Sequence, residues 1–289
     1  MRIGSNEHKE LFCRSFLESH RAYDPQEWPW PELDPLSLAR LRAIPIWTLA
    51  LEVELGAGEM LGKYAKTEPD PLVRQALELQ AYEEERHGRI LQCLIDRYQL
   101  PVEPKVPKQE PTRANFIAFG YNECADSFAG FGIFKLARDA RILPEALTSL
   151  FTRVIAEEAR HIVFFVNWVA WDRYRRGMRA TFARAIATLL GYAGAIGRRI
   201  KAGTALQGDK PAADPNLFGD ALRNLTAAAF LRACIEENDR YMASFDSRLL
   251  RPRVIPALGK MALAIAEAIE RFRAARYSGQ TAAGSRSIK

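Results

Sequence analysis

Histidine is scarce in this chain, with four in 289 residues. Cysteine is as rare: Cys13, Cys93, Cys124 and Cys234 form no C-x-x-C pair. That excludes a zinc ribbon or a disulfide scaffold and reads as a reduced, cytoplasmic chain. Long apolar runs are missing too. The longest weakly polar stretch, 185–197, is too short to span a bilayer, so no transmembrane segment is expected and this stretch reads as a buried or partner-facing helix. The opening MRIGSNEHKELFCRSF has no apolar core of signal-peptide type. There is no alternation of strands with helices, no series of short strands at regular spacing, and no flavin or nicotinamide fingerprint.

What is present is helical period. The chain is 48% hydrophobic, enough for a sizeable core. Helices are expected over about 6–20, 46–66, 71–98, 113–140, 144–176, 178–200, 217–245 and 253–276, making an all-α fold. Asp70 before Pro71 supplies an N-cap and a first-turn proline. The segment 23–35 holds four prolines and reads as a strap over the surface. A proline-rich link covers 100–111, and 203–216 reads as a loop. One domain is expected over 1–275, with a bundle at 46–176, extra helices at 178–275, and a disordered tail at 276–289.

The net charge of +6 fits an acidic partner, but charge bears on association and not on fold. The basic runs at 173–179, 198–201 and 248–253 read first as solvated helix ends, so nucleic acid is not an expected partner.

Two segments repeat one pattern. Glu83-Glu84-Glu85-Arg86-His87 and Glu157-Glu158-Ala159-Arg160-His161 both read E-E-x-R-H. Positions i and i+3 share a helix face, so Glu84 with His87, and Glu158 with His161, can each hold one ion. The first pair lies on a stripe with Leu77, Ala81, Gly88, Leu91 and Leu94. The second lies with Phe151, Val154, Ile162, Phe165 and Trp168. A carboxylate on a core-facing stripe costs several kcal/mol unless it is paired or binds a metal. Two such copies call for a buried cation. Each of the other two long helices should add one carboxylate. Glu123 shares its stripe with Phe116, Phe119, Gly120, Ser127, Gly130 and Phe134. On the preceding helix Glu54 is preferred, with Glu52 as the alternative. Four glutamates then balance two divalent ions while both histidines stay neutral. Phe119, Phe128, Phe131 and Phe134 read as plain core or as the lining of an apolar pocket. His8 and His20 lie outside the pattern and receive no role.

The order Glu54, Glu84-x-x-His87, Glu123, Glu158-x-x-His161 resembles the ferritin-like di-iron carboxylate superfamily over about 46–170. The acidic residue before each metal glutamate and the arginine before each histidine are most similar to acyl-carrier-protein desaturases and bacterial multicomponent monooxygenases. The resemblance implies a ferritin-like four-helix bundle holding two iron ions, with manganese or a mixed Mn/Fe pair compatible with the same ligands. It makes Glu83, Arg86, Glu157 and Arg160 groups that hold the ligands in place. Asp126, one turn from Glu123, reads equally as such a group or as a surface or packing residue. The implied activity is oxidative: O2 as co-substrate, a small-molecule or carrier-bound organic substrate that is hydroxylated, desaturated or N-oxygenated, and an external electron donor. A homodimer suits the fold. Two alternatives compete. One is a peroxide- or iron-handling protein of rubrerythrin, manganese-catalase or ferritin type. The other is a non-catalytic helical binding module.

Overall fold

The computed structural model describes residues 1–105, 108–206 and 225–284, without the side chains of 199–206 and 274–284. Among these the chain is all-α: nine α-helices, one 3-10 turn and no strand. The helices are α1 Asn6–Glu18, α2 Pro35–Ala43, α3 Trp47–Ala65, α4 Pro71–Tyr98, α5 Arg113–Asp139, α6 Glu145–Arg175, α7 Thr181–Leu206, α8 Ala227–Ala243 and α9 Val254–Gly284. No helix among the described residues is long and apolar enough to cross a membrane.

Local chemistry sets the ends. Asp70 caps α4 by accepting from the Leu72 and Val73 amides, and Pro71 fills the first turn. Such a cap is worth about 1 kcal/mol. Gln99 ends the helix in the left-handed conformation, at φ 50°. Gly177, at φ 84°, breaks the chain after α6, where a side chain would be strained.

The long helices match the expected spans to within a few residues at their starts, except α8, which starts at Ala227 behind the Thr226 cap and not at about 217, and three further corrections concern what lies between and after them. Helix α2 falls where no helix was expected. Asp34 accepts from the Leu36 and Ser37 amides ahead of Pro35, the same Asp-Pro device that starts α4. Helix α7 runs to Leu206, so 203–206 is helical and not loop; 207–216 of that expected loop, and 217–224 of the expected helix, lie outside the described residues. Helix α9 continues to Gly284, past the expected end at 276, because no proline interrupts Thr281-Ala282-Ala283. Residues 285–289 of the expected tail also lie outside the described residues.

Helices α3 and α4 pack along each other as one hairpin, and α5 and α6 form a second. The hairpins meet through α3 with α5 and α4 with α6, α1 lies across α4 and α6, and α7 and α8 cover α5. Two glycines permit the close approaches. A Cβ on Gly88 would stand 2.9 Å from Leu55 Cδ2, and one on Gly120 would stand 2.1 Å from Phe165 Cδ2. Either added methyl would push apart helices that carry the repeated pattern or its neighbours. The core beside them is aromatic: Trp168 is fully buried, edge-on to Phe116 at 4.5 Å and to Tyr64 at 6.3 Å. Each such ring pair adds about 1 kcal/mol beyond its buried area.

Candidate metal centre

Between the hairpins, Glu84 and His87 of α4 face Glu158 and His161 of α6. One ligand atom from each lies within 4.8 Å of the others, a group that could hold a metal ion. Three of the four residues are almost wholly buried, and the Glu158 side chain is 14% exposed.

The pairing is crossed between helices. Glu158 Oε1 lies 3.0 Å from His87 Nδ1, while Glu158 Oε2 is 3.7 Å from His161 Nδ1. Glu84 mirrors this, with Oε1 at 3.1 Å from His161 Nδ1 and Oε2 at 3.9 Å from His87 Nδ1. Each carboxylate therefore offers one oxygen to each histidine. Despite this crowding, His87 Nδ1, His161 Nδ1 and Glu158 Oε2 are buried without a hydrogen-bond partner. Native proteins rarely leave such atoms unmet, and their convergence on one point matches the donor set of a cation.

Behind the histidines the crossing repeats. His87 Nε2 donates to Glu157 Oε2 at 2.9 Å, and His161 Nε2 donates to Glu83 Oε2 at 2.9 Å. Each carboxylate is held in turn by the neighbouring helix: Arg86 donates to Glu157 at 2.7 Å, and Arg160 donates to Glu83 at 2.9 Å. Fixing the proton on Nε2 turns the Nδ1 lone pair of a neutral imidazole toward the site.

The N-terminal segment closes this side. His20 Nδ1 lies 2.6 Å from Glu83 Oε1, and Tyr23 Oη donates to Glu157 Oε2 at 2.9 Å. Arg160 also donates to Ser19 Oγ and to the Phe16 carbonyl. Neither His20 nor Tyr23 was singled out from sequence, because their partners lie 63 and 134 positions away and no periodicity links them. His8 is a packing group: it takes the Gly4 amide on Nδ1 and donates from Nε2 to Asn167, which also clasps Leu250.

The remaining carboxylates differ in reach. Glu54 Oε2 stands 3.6 Å from His87 Nδ1, which places it beside the four-residue group from α3 without making it a member. Glu52 turns outward and accepts the Lys105 amide at 2.6 Å. Glu123 is buried on α5, where the charges of Glu158, Glu84, Asp126 and Glu54 all reach it. It also lines a cavity of about 330 Å³ with Leu49, Val53, Ala118, Asn122 and Arg198. Of the four phenylalanines, Phe119, Phe128 and Phe131 belong to the core and Phe119 also lines that cavity, while Phe134 is half-buried.

Protons carry the strain of so many acids. Burial, then the charges of Glu158 and Glu84, pushes Glu123 well above the carboxylate range. Burial pushes Glu54 up to about 8. Burial works against protonated His87 and His161, yet the surrounding carboxylates hold both well above 6.5. A cluster that must borrow protons to balance its charge has the sign and depth of a cation site. The basic runs do not form one free patch: Arg173 is buried against Tyr121 and Thr188, and Arg251 is spent on the carbonyls of Met242, Phe245 and Leu249. Compared with known proteins, the chain matches no family model, no curated protein and no solved structure.

Proposed function

We propose that this chain is a ferritin-like, dinuclear-metal oxidase or oxygenase that binds two iron ions and uses O2 to oxidise an organic substrate. The observation that carries the reading is the convergence of three partnerless buried atoms, His87 Nδ1, His161 Nδ1 and Glu158 Oε2, beside Glu84. Mixed carboxylate and imidazole donors suit iron or manganese. Glu84 and Glu158 have the placement to span two ions, since each puts one oxygen near each histidine. Glu54, 3.6 Å from His87 Nδ1, and Glu123, buried on α5, would supply the remaining carboxylates. Iron held there supplies the reaction with dioxygen; the protein supplies ligands, orientation and a dry surround.

The chain's own residues divide the remaining work. Glu83 and Glu157 fix both imidazoles. The cavity that ends on Glu123 gives a small organic molecule access to the carboxylate side of the pair. That access favours substrate oxidation over iron storage. Electrons come from a separate donor, since the sequence holds no flavin or nicotinamide fingerprint.

Anaerobic loading with Fe(II), removal of excess, an iron count and then admission of O2 test the reading. Two irons per chain with a new near-ultraviolet charge-transfer band are expected. A chain that retains neither iron nor manganese overturns it.

A further inference from the structure

The strap after α1 does more than cover the histidine side. Tyr23 donates its hydroxyl to Glu157 Oε2, the same oxygen that accepts from His87 Nε2. Its ring stacks on Trp28, centroids 5.3 Å apart and planes 27° from parallel. Trp28 lies 5.7 Å from Trp30, and Trp30 lies 6.4 Å from Tyr98. The row is pinned in place: Trp30 Nε1 donates to the Pro25 carbonyl, and Tyr98 Oη donates to the Pro31 carbonyl. Tyr23, Trp28 and Trp30 are all partly exposed. A line of phenol and indole rings therefore runs along the partly exposed strap from Glu157, the carboxylate that accepts from His87.

Phenol and indole are the aromatic side chains that give up one electron most readily, and phenylalanine does not share that property. We infer that Tyr23, Trp28 and Trp30 form an electron relay that drains oxidising equivalents from the metal pair to the surface when O2 has reacted and no substrate is bound. This rests on the function proposed above. Tyr23 passes one electron inward, reducing the pair by one, and its hydroxyl proton moves to Glu157 Oε2. Trp28 then returns an electron to Tyr23, which recovers that proton. The electron deficit passes to Trp28 and Trp30, where an external one-electron reductant fills it and is itself oxidised by one. The Arg86 guanidinium stands 3.9 Å from the Tyr23 ring centroid. A cation over a ring makes that ring harder to oxidise, so Arg86 favours onward movement of the deficit to the indoles.

The test uses the full chain loaded with Fe(II) and counted for iron before O2 is admitted without organic substrate or reductant. Freeze-quenched electron paramagnetic resonance then looks for an organic radical, and peptide mass mapping looks for oxygen adducts after repeated cycles. The native chain is expected to give a radical, with adducts on Trp28 and Trp30. Tyr23→Phe, with its iron count intact, is expected to lower both adducts several-fold, and Trp28→Phe to lower the adduct on Trp30. Undiminished adducts in Tyr23→Phe and Trp28→Phe overturn the relay while leaving the metal site standing. So does a native chain with two irons and no radical. A native chain that holds no iron before O2 fails at the earlier step and overturns the site and the relay together.

Discussion

The two sides of the metal group are built on opposite plans. On the histidine side, a hollow of about 390 Å³ lies between the strap and α6, lined by Tyr23, Arg153, Glu157 and Arg160. It stops at Glu157, the carboxylate that holds His87, and His87 itself lies a layer deeper. On the other side, the cavity between α3 and α5 has Glu123, a candidate ligand, in its own lining beside Glu52, Asn122 and Arg198. The side with two layers fixes geometry; the side with one layer admits exchange. Charge follows the same division. Glu83 and Glu157 are held below the carboxylate range despite burial, by His161 and His87 first and then by arginine. Glu54 is pushed up by burial, which His87 offsets only in part, and Glu123 is pushed up by burial and then by the charges of Glu158 and Glu84. One side is complete as it stands, and the other waits for positive charge.

Removing an atom that belongs to both sides should erase the comparison. Glu84→Ala takes away an oxygen near each histidine, and His161→Ala takes away a partnerless nitrogen. Each is expected to lose at least one metal ion per chain and all oxidative activity, as read by metal analysis and O2 uptake. Full occupancy in either variant sinks the ligand assignment.

Loosening the histidine side alone should have a smaller effect. Glu157→Ala frees His87 Nε2, takes from Arg86 its 2.7 Å carboxylate partner and releases Tyr23, all in one change. Metal affinity is expected to fall by about 10- to 100-fold, the usual consequence of losing such a bracing group. Competition with a chelator measures it. Tyr23→Phe keeps the Arg86 and His87 contacts and should move affinity far less. Equal losses in the two variants would mean that the strap, and not Glu157, orients the histidine.

That contrast also marks how far the sequence could be read. Both E-E-x-R-H segments and the stripes around them were legible, because a helix converts spacing of three into a shared face. The preference for Glu54 over Glu52 rests on the same shared face, and the structure sends the two side chains to different places: Glu54 beside His87, Glu52 to the Lys105 amide. The crossing was not legible. Spacing pairs Glu84 with His87, whereas the nearer oxygen of Glu84 belongs to His161, and only the packing of α4 on α6 decides that. His20 and Tyr23 were invisible because the strap has no period. Helix α2 was readable in principle, since Asp34-Pro35 repeats the Asp70-Pro71 signal, but the surrounding prolines masked it.

The charge difference gives a pH prediction for the metal-free chain. Glu54 moves from 4.5 to about 8 on burial, so between those values the folded state keeps a proton that the unfolded state has lost, and rising pH disfavours folding. His87 and His161, raised above 6.5, add stability below that value and lose it as pH climbs through their folded values. Both effects have one sign. The melting temperature of the metal-free chain should fall as pH rises from about 5 to 8. Metal should flatten that fall by replacing the protons. A metal-free chain that grows more stable over this range would show that the cluster meets its charge some other way.

The smallest expected effect probes the register of α5. Cys124 follows Glu123 directly, and a thiol beside a metal group invites the idea that it ligates. Successive residues on a helix point about 100° apart. Cys124 therefore turns away from the centre, and its neighbour is Tyr192 of α7, which shares a hydrogen bond with it. Burial pushes the thiol up to about 12, so in the metal-free chain it stays protonated. Cys124→Ser places a more polar atom against Tyr192 and should lower the melting temperature slightly. The metal count should not change. A count that falls with Cys124→Ser would rotate α5 by one residue, bring Cys124 to the open side of the centre, and take Glu123 away from the cavity that makes that side an entrance.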